Sequence, residues 1–501
     1  MLEERLRNLD RAGEVSLTQQ LVAAFVAAIE EGEFAAGAKL PPTRSLAELA
    51  GVNQLTAGRV YRRLAQMGLV VSGVGRGTFV RETAPLHGDG ADAIGDTWQN
   101  YVLPPAGESA ATRMVRDLES HAENADLIPL SPGYPPPEMF PVARLRAAAR
   151  AVLEGDALAS FQYGPVEGAP ELRVELAALA RRRGVDEDPD CILVTTGARQ
   201  ALFVTARAIL RPGDKAACES PSFMGIIESL RATGAEVLPV PVDEDGLSVD
   251  ALEQLLARHE IRVLGLQSRL QNPTGHDLSP ERRERLVALA RKHGFFIVED
   301  SVYADLRLEG SGPPSLRALD RDHVIGVDSL SKTLSPGLRI GWVVANGPVL
   351  DRIATEKRND DGHSPMLTQQ IVARYLAERH YEPHLETARA AHRVRRDAMV
   401  AAVARHMDDL VIATRPTGGA NVWATLRRSV DEQQLYREAI AAGVSFTPGS
   451  ATLVETPRAT HMRLSFSFVE PAAIDEGVRR LSRVVRMLQA RGQARRSAPL
   501  A

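Results

Sequence analysis

The sequence predicts two folded parts, a small helical part that ends in a β-hairpin and a large α/β part with a mostly parallel sheet. Amphipathic helical repeats occupy most of residues 1–80, and short apolar strands alternate with helices from about residue 126 onward. Residues 81–125 between them are rich in glycine and proline and show little periodicity, which is typical of a linker. A length of 501 residues suits about three domains, or one large domain with an appendage.

The composition, 44% apolar and 25% charged, is that of a soluble globular protein. No stretch approaches the roughly 20 apolar residues of a membrane helix, and no basic-then-apolar leader opens the chain, so we expect a cytoplasmic protein. Two cysteines exclude a disulfide framework and a four-cysteine zinc site, and we predict no metal site.

The net charge of −4 hides a basic block, because residues 39–80 carry six basic residues and one acidic residue. Such a block indicates a part of the chain that binds an anion, and a solvated charged face is the alternative. Lysine is scarce: only five of the 60 basic residues are lysines. Any lysine chemistry therefore has few candidates.

Residues 1–80 are predicted to form three helices and a hairpin. Ser16 is expected to cap the first helix, with Gln19 at the capping-box spacing. A second helix over about 44–50 and a third helix, capped by Asn53, are joined by a tight turn. The hairpin over 70–80 has a glycine-rich tip.

Two short helices joined by a turn near a glycine, followed by a hairpin, predict a winged helix-turn-helix. The helix that starts at Gln54 would lie in the major groove of DNA. Its glutamine and threonine can reach base edges, and its arginines suit phosphates or guanine. A helical packing domain that binds nothing is the alternative. The predicted DNA contacts are Thr43, Arg44, Gln54, Thr56, Arg59, Arg62, Gly75, Arg76 and Gly77.

Three segments of this part carry a family resemblance. They are Leu-Pro-Pro-Thr-Arg-Ser-Leu-Ala at 40–47, Gly-Val at 51–52 and Gly-Arg-Gly-Thr-Phe-Val at 75–80. Together they resemble the DNA-binding domain of GntR-family repressors over residues 15–80. The family usually has arginine where Gln54 stands and often where Gly58 stands, so the resemblance does not specify the operator sequence.

Four segments of the large part lie where an open α/β sheet binds ligands, at the ends of predicted strands or in turns. Lys332 follows the strand 324–327, and Asp300 follows the strand 295–298. Gly197 opens a helix whose N-terminus can bind phosphate, and Asn272 lies in an Asn-Pro-Thr-Gly turn. Taken one at a time, each segment has an ordinary alternative explanation. In the same order, these are a surface lysine, a turn cap, a strand–helix connection and an ordinary turn.

In this order the four segments match the needs of pyridoxal 5′-phosphate (PLP). This cofactor needs a lysine for covalent attachment, an acid for the pyridine nitrogen, a polar group for the ring hydroxyl and donors for the phosphate. The joint occurrence favours a PLP site over four unrelated features.

Residues 126–485 resemble the fold-type-I aminotransferases of class I/II. The resemblance implies a PLP-dependent transferase fold with a smaller C-terminal α+β subdomain from about residue 360 and a tail over 486–501. It implies that Lys332 binds PLP covalently, that Asp300 pairs with the pyridine nitrogen, and that Tyr303 and Asn272 contact the ring hydroxyl oxygen. The implied catalytic residues are Lys332, Asp300 and Tyr303.

The same resemblance assigns further contacts. Phe223 would stack on the ring, and Arg463 would bind the substrate α-carboxylate beside Asn272. The segment Gln-Tyr-Gly-Pro at 162–165 is similar to the aminoadipate and aromatic subgroup, in which the tyrosine, here Tyr163, reaches the phosphate in the partner subunit. The implied phosphate contacts are Gly197, Ala198, Arg199, Ser329, Ser331 and Arg339.

A GntR-type head over 1–80, a linker over 81–125 and an aminotransferase-like body together resemble the MocR-type regulators. This resemblance implies a PLP-dependent transcriptional regulator that senses the cofactor or an amino compound. It also implies a head-to-tail homodimer and an operator with two half-sites or repeats. Two alternatives stay open: a working aminotransferase with a vestigial head, and a DNA-binding protein whose body only dimerises.

Overall fold

The computed structural model describes residues 2–7, 9, 16–30, 33–34, 37–66, 69–73, 77–80, 110–120, 126–155 and 157–497. The chain divides into two compact units, residues 1–107 and residues 108–501. No helix of the described residues is long and apolar enough to span a membrane.

The first unit contains four helices and one antiparallel hairpin in its described residues. They are α1 (Leu2–Arg7), α2 (Leu17–Glu30), α3 (Thr43–Ala50), α4 (Gln54–Gln66), β1 (Val70–Gly73) and β2 (Gly77–Val80). The predicted winged helix-turn-helix is therefore confirmed, with one additional short helix, α1. The apolar positions of α2 and α4 pack together, with Leu21, Phe25 and Val60 fully buried.

Both predicted helix caps are present. The Ser16 amide donates to Gln19 Oε1 at 2.9 Å and the Gln19 amide donates to Ser16 Oγ at 3.4 Å, which is a reciprocal capping box. The Thr56 amide donates to Asn53 Oδ1 at 2.7 Å. Because these bonds satisfy amides at the helix starts, they fix where α2 and α4 begin.

The second unit is built on an eight-stranded sheet. In sequence order its strands are β4 (Ile192–Thr195), β5 (Lys215–Ser220), β6 (Glu236–Asp243), β7 (Gly246–Leu247), β8 (Ile261–Leu266), β9 (Phe296–Asp300), β10 (Val324–Ser329) and β11 (Gly341–Val344). The spatial order is β4-β11-β10-β9-β8-β5-β6-β7. The five strands β10-β9-β8-β5-β6 pair in parallel, so the mostly parallel sheet is confirmed.

Helices cover this sheet, and apolar clusters lie against its strands. The helices of this layer, in sequence order, are α6 (Val142–Glu154), α7 (Ala157–Phe161), α8 (Pro170–Arg182), α9 (Ala198–Ile209), α10 (Met224–Arg231), α11 (Val249–Leu256), α12 (Pro280–His293), α13 (Pro348–Asp360) and α14 (Met366–Ala377). The predicted strand at 295–298 and helix at 280–292 match β9 and α12 to within two residues.

A smaller antiparallel sheet forms the C-terminal layer, in the order β12 (Val411–Ala413), β13 (Asn421–Leu426), β16 (His461–Ser465) and β15 (Thr447–Pro448). A separate parallel pair joins β14 (Val444–Ser445) to β3 (Ile128–Pro129). The helices of this layer are α5 (Ala110–Ser120), α15 (Tyr381–Met407), α16 (Glu432–Ala441) and α17 (Pro471–Ser497). An antiparallel sheet packed with helices confirms the predicted α+β character of the C-terminal subdomain.

Three boundaries differ from the sequence-based expectation. Helix α5 lies inside the predicted linker, where buried Met114 and Leu118 join the C-terminal apolar core. The subdomain predicted from about residue 360 starts later, because α14 packs on the large sheet through residues such as Val372. The tail predicted from 486 begins inside α17, whose apolar spacing continues to the buried Leu488. In each case an apolar face extends the core beyond the predicted limit.

Candidate cofactor site and DNA-binding helix

Helix α4 presents an exposed polar face opposite its buried face. Ala57, Val60 and Leu64 are buried, whereas Arg59 and Arg62 on the other side are exposed. Gln54 is also exposed, and Leu55 beside it is 74% exposed. The predicted reading helix therefore directs its basic side chains away from the core.

The basic face of α4 adjoins the start of α2. Arg59, Arg62 and Arg63 line a groove of about 370 Å³ together with Ser16, Thr18, Gln19 and Val22. Thr43 begins α3, and exposed Arg44 pairs with Glu48 at 3.3 Å. Gly77 is exposed in the wing with a φ of 107°, whereas Gly75 and Arg76 lie outside the described residues.

The carboxyl ends of the parallel strands bring the predicted cofactor residues to one edge of the large sheet. Asp300 ends β9 and pairs in register with Val327 of β10, shortly before Lys332. Lys332 Nζ lies 5.8 Å from the ring centroid of Tyr303 and 5.9 Å from that of Tyr134. The lysine therefore sits between two aromatic rings beside the buried acid.

Asp300 is a buried carboxyl group, 1% exposed. It accepts hydrogen bonds from Gln267 Nε2 at 3.1 Å and from the Val302 amide at 3.1 Å. Among the described residues, no basic side chain lies within ion-pair distance of it. Burial raises the pKa of Asp300 to about 7, and nearby Lys332 opposes that rise. A cationic group against this carboxylate would remove the cost of its burial.

Asn272 is 2% exposed and lies against Arg463. Asn272 Oδ1 accepts from Asn421 Nδ2 at 3.3 Å and from Arg463 Nη1 at 3.4 Å. Its side-chain nitrogen Nδ2 makes no hydrogen bond to another described residue, so it can donate to a ligand. Tyr303 is also predicted to contact the cofactor. In the structure its hydroxyl donates to the Gly133 carbonyl at 3.0 Å.

Arg463 extends from β16 and is held by uncharged groups only. Its Nη2 donates to the Ser131 carbonyl at 2.7 Å and to Thr447 Oγ1 at 2.9 Å. Its Nε is buried without a partner, and burial lowers the pKa of the guanidinium. No acidic side chain among the described residues pairs with it. This arrangement suits a carboxylate ligand.

The start of α9 and the turn before β11 form a tight cradle. Arg339 Nη2 donates to the Thr196 carbonyl at 2.6 Å. Gly197 has a φ of 104°, and a Cβ there would lie 2.9 Å from Arg339 Nη2. The amides of Ala198 and Arg199 open the helix beside it. Free helix N-terminal amides beside an arginine suit a phosphate.

Other predicted contacts are placed as follows. Ser329 Oγ donates to the Ile340 carbonyl at 2.8 Å and lies 3.0 Å from Ser331 Oγ, which can donate to it. The Phe223 ring packs on Gly225, where a Cβ would lie 2.5 Å from Phe223 Cε1. Tyr163 is 93% exposed. Its one aromatic contact among the described residues is with the His363 ring, edge to face, with the ring centroids 5.4 Å apart.

The lysine segment is also tied to the helix that enters the C-terminal layer. The hydroxyl of Tyr381, which starts α15, donates to Thr333 Oγ1 at 2.8 Å. His384 Nε2 donates to the Thr333 carbonyl at 2.8 Å. The residue next to Lys332 is therefore fixed by two side chains of α15.

Sequence reasoning missed three residues of this site: Gln267, Asn421 and Tyr134. Gln267 follows β8 directly, a position at the same sheet edge as Asp300, which was the available signal. Tyr134 follows a glycine in a loop rich in proline. Asn421 begins β13, 149 positions after Asn272, and no local pattern links the two.

Comparison with known proteins agrees with this geometry. Residues 125–481 match the family model described as aminotransferase class I and II, and residues 17–80 match bacterial regulatory proteins of the gntR family. The chain belongs to both families. This combination makes it a MocR-type transcriptional regulator.

Two relatives share the whole arrangement. The probable rhizopine catabolism regulatory protein MocR of Rhizobium meliloti is 30% identical over 97% of this chain and 97% of its own. The HTH-type transcriptional regulator TauR of Rhodobacter capsulatus is 32% identical over 95% of this chain and 97% of its own. The crystal structure of LysN, an α-aminoadipate aminotransferase from Thermus thermophilus, covers 75% of this chain and 95% of its own with a TM-score of 0.70 at 35% identity.

These findings indicate PLP as the cofactor of the family and of this chain. The residues present fit it. The buried Asp300 carboxylate has no cation, and the buried Asn421 Oδ1 and Arg463 Nε have no partner in the described structure. The φ of 104° at Gly197 disfavours any other residue in the cradle, and a Cβ there would displace the Arg339 guanidinium. Each feature corresponds to a different part of the cofactor or of an amino acid joined to it.

Substituting Lys332→Ala should abolish the visible absorbance that PLP gives when bound to a lysine, while the fold is kept. The matched control is Lys215→Ala, because Lys215 pairs with Glu236 at 2.8 Å on the surface of β5. Absorbance spectra, followed by borohydride reduction and peptide mass analysis, would locate the adduct. An adduct on any other lysine would contradict the site.

Proposed function

We propose that this regulator senses a carboxylate-bearing amino compound at the PLP site and that the occupied site changes DNA binding by the head. The observation that carries this proposal is Arg463, a half-buried guanidinium that contacts Asn272, has its Nε buried without a partner, and has no acidic partner in the described structure. A site for the cofactor alone would not need an arginine without a counter-charge on this side. The proposal therefore favours an amino acid or a similar anion as the effector.

In this proposal Lys332 Nζ forms the covalent bond to PLP. Asp300 would hold a proton on the pyridine nitrogen, and Asn272 would donate to the ring hydroxyl oxygen. Tyr303 would donate to the same oxygen by exchanging its bond to the Gly133 carbonyl. Phe223 packs on the ring face. When bound, PLP withdraws electrons from the amino compound joined to it. The chain thus supplies both the attachment point and the charge that tunes the cofactor.

The cofactor phosphate would lie at the start of α9. The amides of Ala198 and Arg199 and the guanidinium of Arg339 would donate to it, with the Gly197 turn allowing the close approach. Ser329 and Ser331 would add hydroxyl donors from the lysine segment. Arg463 would bind the effector carboxylate through paired donors.

We propose a homodimer, head-to-tail as the family resemblance implies. Large apolar side chains are exposed over 153–163, and they include Leu158 at 77%, Phe161 at 70% and Tyr163 at 93%. Several large apolar side chains exposed within one short segment are typical of an interface. A second copy of the chain would cover it and bring Tyr163 to the partner's phosphate site. Two heads would then read two half-sites, and DNA as the partner indicates the cytoplasm.

A physical route leads from Arg463 toward the linker. Arg463 donates to Thr447, the first residue of β15. Helix α5 packs on β15 and on the following turn, residues 449–452. The carbonyl of Thr452 in that turn accepts from the Ser222 amide at 2.7 Å, next to Phe223. A ligand that moves this segment would therefore move the helix to which the linker is joined.

The alternative function, a working aminotransferase, is supported by the presence of residues for every part of the cofactor and for a substrate carboxylate. It predicts turnover without any effect on DNA. The two functions are separated by measuring both properties on one preparation.

The test titrates the PLP-loaded full-length protein with a panel of amino compounds and follows visible absorbance and DNA affinity together. A compound that changes the absorbance should change DNA affinity by roughly 5- to 150-fold, the usual range of coupling. Arg463→Gln should keep PLP and DNA binding and lose both responses. If a keto acid restores the spectrum cyclically while DNA affinity stays constant, the aminotransferase function is supported instead.

Arg59→Ala should weaken DNA binding and reduce the slope of log affinity against log salt by about one, because one phosphate contact releases roughly one counterion. The contact is inferred from the exposed position of Arg59 on α4. Arg285→Ala serves as the control, since Arg285 pairs with Asp250 on the surface of the body. Fluorescence anisotropy over a salt series would measure the slopes, and equal slopes would refute the assigned contact.

Tyr436→Phe should reduce the effect of the effector on DNA affinity and leave its effect on absorbance unchanged. The Tyr436 hydroxyl donates to Asp117 of α5 at 2.6 Å, so its loss weakens the coupling of α5 to the C-terminal layer while Met114 and Leu118 keep their core contacts. Tyr375→Phe is the matched control, because its hydroxyl donates to the His380 carbonyl elsewhere in the body. A full DNA response in Tyr436→Phe would rule out this route.

A further inference from the structure

Gln267 joins two elements of the cofactor site that come from different strands. It follows β8 and is 3% exposed. Its Nε2 donates to Asp300 Oδ2 at 3.1 Å, and its Oε1 accepts from the Asn272 amide at 2.8 Å. Its own amide donates to Glu219 Oε1 at 2.9 Å. The buried side chain of Gln267 therefore connects Asp300, the proposed partner of the pyridine nitrogen, with the backbone amide of Asn272, whose side chain is the proposed donor to the ring hydroxyl.

The groups around Asp300 determine how much the Gln267 Nε2 donor contributes to the ionisation of its carboxyl group. The charged or titratable groups that act on Asp300 are Lys332, Asp328 of β10 and Glu219 of β5. Two of these three are acidic, and burial already favours the neutral form of Asp300. The two N–H donors, Gln267 Nε2 and the Val302 amide, favour its ionised form. Removal of either donor shifts the balance toward the protonated acid.

The second bond of Gln267 sets the position of Asn272. The amide of Asn272 is held by Gln267 Oε1, while its side-chain oxygen accepts from Asn421 and Arg463. The side-chain nitrogen of Asn272 is thereby left as the donor to a ligand. Because both bonds come from one side chain, Asp300 and Asn272 keep a fixed separation across the site.

We propose that Gln267 is a positioning residue that keeps Asp300 ionised and in register with Asn272 at the cofactor ring. This inference rests on the proposed function, because it assigns Asp300 and Asn272 to PLP. Gln267 itself touches neither the reacting atoms nor the effector in this assignment. Its effect is transmitted through Asp300.

The test uses the full-length protein with Gln267→Met, which keeps the length of the side chain and removes its donor and acceptor. The dissociation constant for PLP should rise by roughly tenfold, as expected for the loss of a hydrogen bond to a charged group. The pH midpoint of the visible absorbance should rise by about half a unit or more. The midpoint reports the titration of the lysine-bound cofactor, and it rises because the positive charge on the ring nitrogen would be less stable without the Gln267 donor.

Gln369→Met is the matched control. Gln369 is also fully buried, accepts from the Ala169 amide at 2.7 Å and donates to the Ser364 carbonyl at 2.8 Å. Its loss should lower thermal stability and leave the absorbance midpoint unchanged. If Gln267→Met does not fold, Gln267→Glu retains the shape and the acceptor and removes the donor to Asp300. It is expected to raise the PLP dissociation constant at least as much.

A double-mutant cycle with Asp300→Asn identifies the path of the effect. The change caused by Gln267→Met should largely disappear in the Asp300→Asn background. Wild-type PLP affinity and midpoint in Gln267→Met, or an undiminished effect in the Asp300→Asn background, would overturn the proposal. A wild-type protein that does not take up PLP on Lys332 would overturn the proposed function instead, whatever the Gln267 variants show.

Discussion

Charge without a counter-charge at the sheet edge is the constraint around which the site is organised. Asp300 is 1% exposed and Arg463 is half-buried with its Nε fully covered, and neither has an oppositely charged partner among the described residues. Isolated buried charges are costly, and a fold keeps them only where something else compensates them. Here the compensation is partial and comes from neutral donors and acceptors such as Gln267 and Ser131. The charge that stays uncompensated would suit a cation at Asp300 and an anion at Arg463, as the proposed function requires of a PLP-bound amino acid.

The parallel sheet makes this pattern possible because it collects the ends of several strands at one edge. The acid, the lysine and the phosphate cradle come from β9, from the turn after β10 and from the start of α9, which are far apart in the sequence. Arg463 belongs to the other sheet, on β16. In the proposed function an amino compound would therefore contact both layers of the body at once. A ligand in that position would favour one relation of the two layers over another by its difference in affinity.

Local rules were sufficient where the signal was local. The caps at Ser16 and Asn53 and the strand end at Asp300 follow from spacing of a few residues, and the structure has them. The class of fold followed from the alternation of strands and helices. Gln267 was not foreseen, since its importance arises only when β8 and β9 become neighbours. The extent of the C-terminal layer was misjudged for the same reason: whether Leu488 is a tail residue or a core residue depends on what packs against it.

Helix α15 is 27 residues long, and its two ends belong to different apolar cores. Tyr381 and Leu385 at its start lie in a cluster with the large sheet, whereas Met399 and Met407 near its end lie in the core of the C-terminal layer. At 1.5 Å per residue the helix spans about 40 Å, so a tilt of about 3° at its start moves its end by about 2 Å. The start of this helix is hydrogen-bonded to Thr333, the residue that follows Lys332, through Tyr381 and His384. A tilt that starts beside Lys332 would therefore reach the core of the C-terminal layer as a larger displacement.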